Sequence, residues 1–172
     1  EEVKIYGTGI NAIKFDNAKL TELDILDGTA LVSLDCSAGA LKKLDLSEAT
    51  KLTSLNASYN EIAEINLSKS RKLTSLTLSN NKLTNLNFKG LSKIGVLECQ
   101  FNELTTLDLT DLAELNDLRA HDNKLTSLIL PDNSSKMYAC HIQHNQIPIS
   151  VINTVIAKLP NVTDVYVMDF EK

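Results

Sequence analysis

The sequence predicts a right-handed solenoid of stacked coils: mostly β, a parallel sheet on the inner face, short strands on the outer face, one helix near the C-terminus. Three observations predict it. The stretch from Leu73 to Lys93, LTSLTLSNNKLTNLNFKGLSK, lands on a version of itself when slid by 21 residues either way, on LTSLNASYNEIAEINLSKSRK upstream and IGVLECQFNELTTLDLTDLAE downstream. Within each copy the apolar residues alternate as they do in strands. An Asn then recurs at one fixed place. A period of this size decides the fold before local propensity is read.

Numbering each unit from its first apolar residue, the units start at Ile10, Leu31, Leu52, Leu73, Ile94, Leu115 and Met137, with every step 21 except the last, which is 22. Position 4 is Ile13, Leu34, Leu55, Leu76, Leu97, Leu118 and Cys140, and position 6 is Phe15, Cys36, Ala57, Leu78, Cys99, Ala120 and Ile142. These two positions put their side chains on one face of an inner strand. Positions 14 and 16 alternate again, as Leu44/Leu46 and Leu107/Leu109 do, so each coil offers a second short strand. One coil cannot bury these faces, but stacking can. The Asn column at position 9 (Asn60, Asn81, Asn102, Asn123, Asn145) suits a buried amide that satisfies backbone groups where the chain turns. Ala18 and Gly39 stand there in the first two coils, whose corners are expected to be looser.

The resulting pattern, L-x-x-L-x-L-x-x-N-x-L, is the leucine-rich-repeat signature. LVSLDCSAGALKKLDLS at 31–47 and VLECQFNELTTLDLT at 96–110 resemble the bacterial 21-residue repeats of internalin-like and Bacteroidetes surface proteins. The fold expected is therefore an α/β-type leucine-rich-repeat solenoid. The period leaves no room for a full outer helix. The chain reads as one domain, 1–172: an edge strand within 1–9, seven repeats over 10–147, and a capping helix and strand over 148–172. In the cap, Val151, Ile152, Val155, Ile156 and Leu159 fall at helical spacing, with Ser150 as N-cap and Pro160 as stop. Val162, Val165 and Val167 then occupy positions 1, 4 and 6 of an eighth unit. Such a tail covers an open core and strand edge.

Composition narrows the function classes. Hydrophobic residues make up 43% and charged residues 23%, as in folded globular chains, and the net charge is −5 with a pI near 5.2. That balance, without a basic run, argues against nucleic acid. No apolar run reaches the ~20 residues that cross a bilayer. The opening EEVKIY, without Met or a recognisable signal peptide, is compatible with a leader already removed. Cys36, Cys99 and Cys140 all occupy core positions; Cys36 and Cys99 are three coils, ~14 Å, apart, beyond disulfide reach. They read as small buried hydrophobes. The outer column Asp24, Asp45, Asn66, Asn87, Asp108, Ile129 reads as a solvated face rather than a calcium site, because no ligand loop accompanies it.

The inner face changes character along the chain. In the first four coils, positions 5, 7 and 8 are mostly small and polar, as in Thr77, Ser79 and Asn80. From Ile94 onward position 5 becomes Glu98, Arg119, His141 and Tyr166; position 7 becomes Gln100, His121, Gln143 and Met168; position 8 becomes Phe101, Asp122, His144 and Asp169. The repeat needs none of these for packing, and aromatics and Arg are the types that anchor interfaces. Glu98, Phe101, Arg119, His121, Asp122, His141, His144 and Tyr166 are the candidate partner-binding residues. His144, flanked by Asp122 and Asp169, suggests a zinc site or pH switch, but the repeat imposes such proximity on every inner residue, and no metal or cofactor is expected. Catalysis has no support, since no nucleophile, base and orienter share a pocket. The leading function, implied by the resemblance, is non-catalytic recognition of a protein partner through the concave face of the C-terminal coils. The alternatives are a structural spacer in a larger bacterial surface protein and a glycan-binding adhesion module. The resemblance also implies a secreted or cell-surface location; a monomer is expected.

Overall fold

The computed structural model describes residues 1–7, 9–15, 19–26, 30–159 and 162–167. Ala18, Pro160, Met168 and Asp169, used in the expectations above, lie outside them. In chain order the elements are β1 (Glu2–Ile5), β2 (Ala12–Lys14), β3 (Glu22–Ile25), β4 (Ser33–Asp35), β5 (Lys43–Asp45), β6 (Ser54–Asn56), β7 (Ser75–Thr77), β8 (Val96–Glu98), β9 (Thr106–Asp108), β10 (Asp117–Arg119), β11 (Ser127–Ile129), β12 (Ala139–His141), α1 (Ile149–Ala157) and β13 (Asp164–Tyr166).

Eight of these strands form the inner parallel sheet, in the order β13-β12-β10-β8-β7-β6-β4-β2. Its register is the sequence period: Ile13, Leu34, Leu55, Leu76, Leu97, Leu118, Cys140 and Val165 stand side by side. From Leu34 to Cys140 this column is buried, while positions 3 and 5 on either side of it turn mostly half-buried side chains to the concave face. The three thiols are buried and unpaired, and burial pushes each up to about 12, which removes thiolate chemistry at neutral pH.

The Asn column stitches the coils together. Asn102 accepts from the Leu83 N–H at 2.9 Å and donates to the carbonyls of Leu78, Cys99 and Gln100 at 2.9, 3.1 and 3.3 Å. Asn60, Asn81, Asn123 and Asn145 repeat the set one coil at a time. The corner at Gly39 is also held: Gly39 N–H donates to the Tyr59 carbonyl, and Leu41 N–H to Asn60 Oδ1. What Gly39 lacks is a side chain to reach back into the first coil.

Three features depart from the expectations. The residue before the Asn column, read above as part of the inner face, sits at a corner instead: Ala38, Tyr59, Asn80, Phe101, Asp122 and His144 all have φ between 53° and 56°. The chain turns off the sheet there, in the left-handed region. Second, a further buried column runs through Ala49, Ser70, Leu91 and Leu112, where short turns close, as in Leu91 N–H to Phe88 O and Ile94 N–H to Leu91 O. Third, the outer strands form two separate sheets, β1-β3-β5 and β11-β9. Between them, the stretches around Ile65 and Leu86 carry no strand, and both residues are only partly buried. Asn66, Asn85 and Asn87 crowd this gap, and Asn is disfavoured in strands.

The outer Asp/Asn column has a structural task. Oδ1 of Asp45, Asn66, Asn87 and Asp108 each accepts the N–H two residues on, closing an Asx turn where the coil bends away. These bonds hold the Asp45 and Asp108 carboxyls below their ordinary range. At the C-terminal end, α1 starts one residue before Ser150, so Pro148 and not Ser150 takes the cap position, with no side-chain bond. Proline suits an entry whose N–H would have no partner in any case. Ile152 and Val155 face the core, whereas Ile156 is exposed. Lys158 Nζ donates to the Leu130 carbonyl at 3.2 Å and approaches Asp132, tying the cap to the coil beneath it.

Candidate functional site

The parallel register sets Glu98, Arg119, His141 and Tyr166 in one row across β8, β10, β12 and β13. Beside it runs a second row, Val96, Asp117, Ala139 and Asp164. Asp117 is 5% exposed and holds Arg119, Oδ1 to Nε at 3.4 Å. That bond and the carboxylate's charge raise the Arg119 guanidinium further above its ordinary range, with Glu98 and Asp164 adding to the field. Tyr138 OH reaches the other Asp117 oxygen at 3.4 Å. His141 lies edge-on to the Tyr166 ring at 4.8 Å. Its Nε2 sits 3.0 Å from Asp164 Oδ2, yet not in line for a hydrogen bond, so the contact is a charge proximity only.

A second group gathers at the corner. Asp122 receives two imidazoles, His121 Nδ1 at 2.6 Å and His144 Nδ1 at 3.0 Å. Partial burial works to raise the Asp122 carboxyl, but the two histidine bonds outweigh it and leave the group below its ordinary value. The Phe101 ring stands edge-on to His121 at 5.2 Å. The eight residues singled out from the sequence thus fall into two clusters, Glu98/Arg119/His141/Tyr166 on the sheet and Phe101/His121/Asp122/His144 at its edge.

Asp117 and Asp164 lie outside the columns at positions 5, 7 and 8; both stand at position 3, where the coils from Leu31 to Lys93 carry Ser33, Ser54 and Ser75. Tyr59, 62% exposed, shares its left-handed corner with Phe101 and belongs to a coil that reads as bland. Neither the amide end of Gln100 nor that of Gln143 is fully satisfied: one buried oxygen of each lacks a partner. Among the described residues, no three His, Cys, Asp or Glu side chains converge to hold a metal ion. Nor, among them, is any helix long and apolar enough to cross a membrane.

Fold and register together define a leucine-rich-repeat solenoid. A solved structure agrees: a leucine-rich-repeat protein of Leptospira interrogans superposes with a TM-score of 0.70 at 19% identity, over 95% of this chain and 49% of that one. The functional domain of InlJ from Listeria monocytogenes, described as including a cysteine ladder, matches at a TM-score of 0.45 and 18% identity, over 96% of this chain and 50% of that one. The chain spans about half the length of each. The first likeness shows the fold, and the second is too distant to carry an argument. No described protein family and no curated protein sequence matches the chain.

Proposed function

We propose that the chain is a protein-recognition module of a bacterial surface or secreted protein, and that the partner docks on the concave face from Ile94 onward. Glu98, Phe101, Arg119, His121, Asp122, His141, His144 and Tyr166 are the contact set, to which Asp117 and Asp164 add the charge that positions Arg119 and His141. One observation carries this reading. Among the described residues, the buried side-chain atoms that lack a hydrogen-bond partner are Gln100 Oε1, His141 Nε2 and Gln143 Oε1 on this patch and Asp24 Oδ1 and Ser70 Oγ elsewhere. Buried polar atoms are rarely left so, and a partner surface would complete them. A spacer has no use for such groups.

The test is capture from surface-exposed host proteins by the immobilised chain. The variant Phe101→Ala/Asp117→Asn/Arg119→Ala loses the specific partner while its Tm stays within a few degrees of the parent, since Phe101 and Arg119 lie outside the buried core and Asn in place of Asp117 leaves no unpaired carboxylate. Equal capture by parent and variant, or none by the parent, contradicts the reading.

A further inference from the structure

The corner column offers a second surface, distinct from the sheet floor. Six residues there occupy the left-handed region, at φ from 53° to 56°. Asn80, Asp122 and His144 are types that tolerate it; Tyr59 and Phe101 are not. The fold therefore gains nothing from an aromatic at either place, yet both rings are exposed, Tyr59 at 62% and Phe101 at 48%.

Backbone bonds continue across the corner from coil to coil: Tyr59 N–H to Ser79 O at 2.9 Å, Asn80 N–H to Gln100 O at 3.0 Å, Phe101 N–H to His121 O at 3.2 Å. Sheet spacing is thus kept, and Tyr59 and Phe101 stand two coils, ~10 Å, apart with Asn80 between them. Asp122 follows one coil beyond. The result is a periodic edge on which an aromatic face alternates with a planar amide or carboxylate.

We propose that this edge binds a neutral, extended, β-linked polysaccharide. A ligand with its own translational repeat suits a site that repeats. A pyranose ring presents an apolar C–H face to an aromatic ring and hydroxyls to the planar polar groups beside it. Charge selects the neutral class. The lysines flanking the edge are already paired, Lys82 with Glu61 at 2.8 Å and Lys124 with Glu103 at 2.9 Å, and the chain carries −5 overall. The two imidazoles at the far end, His121 and His144, are both engaged by the Asp122 carboxylate at 2.6 and 3.0 Å, so the cations described at this edge are already matched by carboxylates and favour no sulfate, phosphate or uronate. This surface does not depend on the protein-recognition reading, although Phe101 and Asp122 stand at the border of both.

Native gels cast with hydroxyethylcellulose, xylan or mixed-linkage glucan test it, with chondroitin sulfate as the anionic control. At least one neutral polymer retards the protein. Tyr59→Asn and Phe101→Asn each weaken the apparent affinity roughly tenfold, while their Tm stays equal or rises because Asn suits the corner. Arg119→Ala, on the sheet floor, leaves retardation intact, which separates this site from the protein-binding one. Retardation by the anionic polymer alone, by none of the polymers, or equally for the Tyr59→Asn/Phe101→Asn variant and the parent overturns the proposal.

Discussion

The coils at 31–93 and those from Ile94 onward share one scaffold and differ in what they display. Asn81 and Asn102 make the same four kinds of bond to equivalent groups, within 0.1 Å of each other. Leu76 and Leu97 are equally buried neighbours. Yet Thr77, Ser79 and Asn80 give way to Glu98, Gln100 and Phe101 on the same three positions. A repeat holds its backbone through a few inward columns, so the outward ones are free to change without cost to the fold. Where they change together, and leave polar atoms without partners, lies the contact face proposed above.

The largest expected effect tests whether the scaffold is shared. Asn81→Ala and Asn102→Ala should each destabilise by about 3 kcal/mol, because several buried backbone groups lose their partner at once. Chemical denaturation should find the two costs within about 1 kcal/mol of each other; a large difference would mean that the two halves are built differently. Ser70→Ala acts in the opposite direction. Ser70 is fully buried in the column that holds Leu91 and Leu112, and its hydroxyl has no partner. Removing it should be neutral or stabilising by about 1 kcal/mol, read from the same unfolding curves.

The smallest effect is specific to the later coils. The Asp122 carboxyl is held below its ordinary value of 3.8, so its contribution to stability is full above that value and is lost as pH falls through the lower, folded one. The Tm gap between the parent and Asp122→Asn should therefore be steady near neutrality and close on going from about pH 5 to about pH 2. A gap that widens between about pH 5 and about pH 2 would show that the two histidine bonds do not stabilise the charged carboxylate.

Much of the scaffold was legible because its rules are local and repeated. Alternation at Leu97/Cys99 and Leu107/Leu109 marks strands, and a recurring Asn marks a corner. The reading failed where a rule was carried one residue too far. Phe101 and His144 follow the strand in sequence but sit on a left-handed turn, and only coil-to-coil bonding through the Asn column sets that turn. Asp117 and Asp164 are hard to read because position 3 is bland in the first copies, and their importance lies in specific partners: Arg119 two residues along β10 and Tyr138 one coil on for Asp117, and His141 across the β12–β13 pairing for Asp164. Ser150 suits a cap by residue type, whereas packing of Ile152 and Val155 onto the last coil moves the cap and the start of α1 two residues earlier, to Pro148 and Ile149. The buried turn column went unread because Ser70 breaks its apolar pattern.

Exchanging the two displays on one scaffold tests the central claim most directly. Val96→Ser, Glu98→Thr, Gln100→Ser, Phe101→Asn, Asp117→Ser, Arg119→Thr, His121→Ser and Asp122→Asn together give two later coils the concave residues of the coil at 73–93 and leave no buried carboxylate without Arg119. Partner capture by this variant is the measurement. The account predicts a folded protein with Tm near the parent's and with capture abolished. A folded variant that captures the partner as well as the parent would contradict it and return the concave face to a spacer's role.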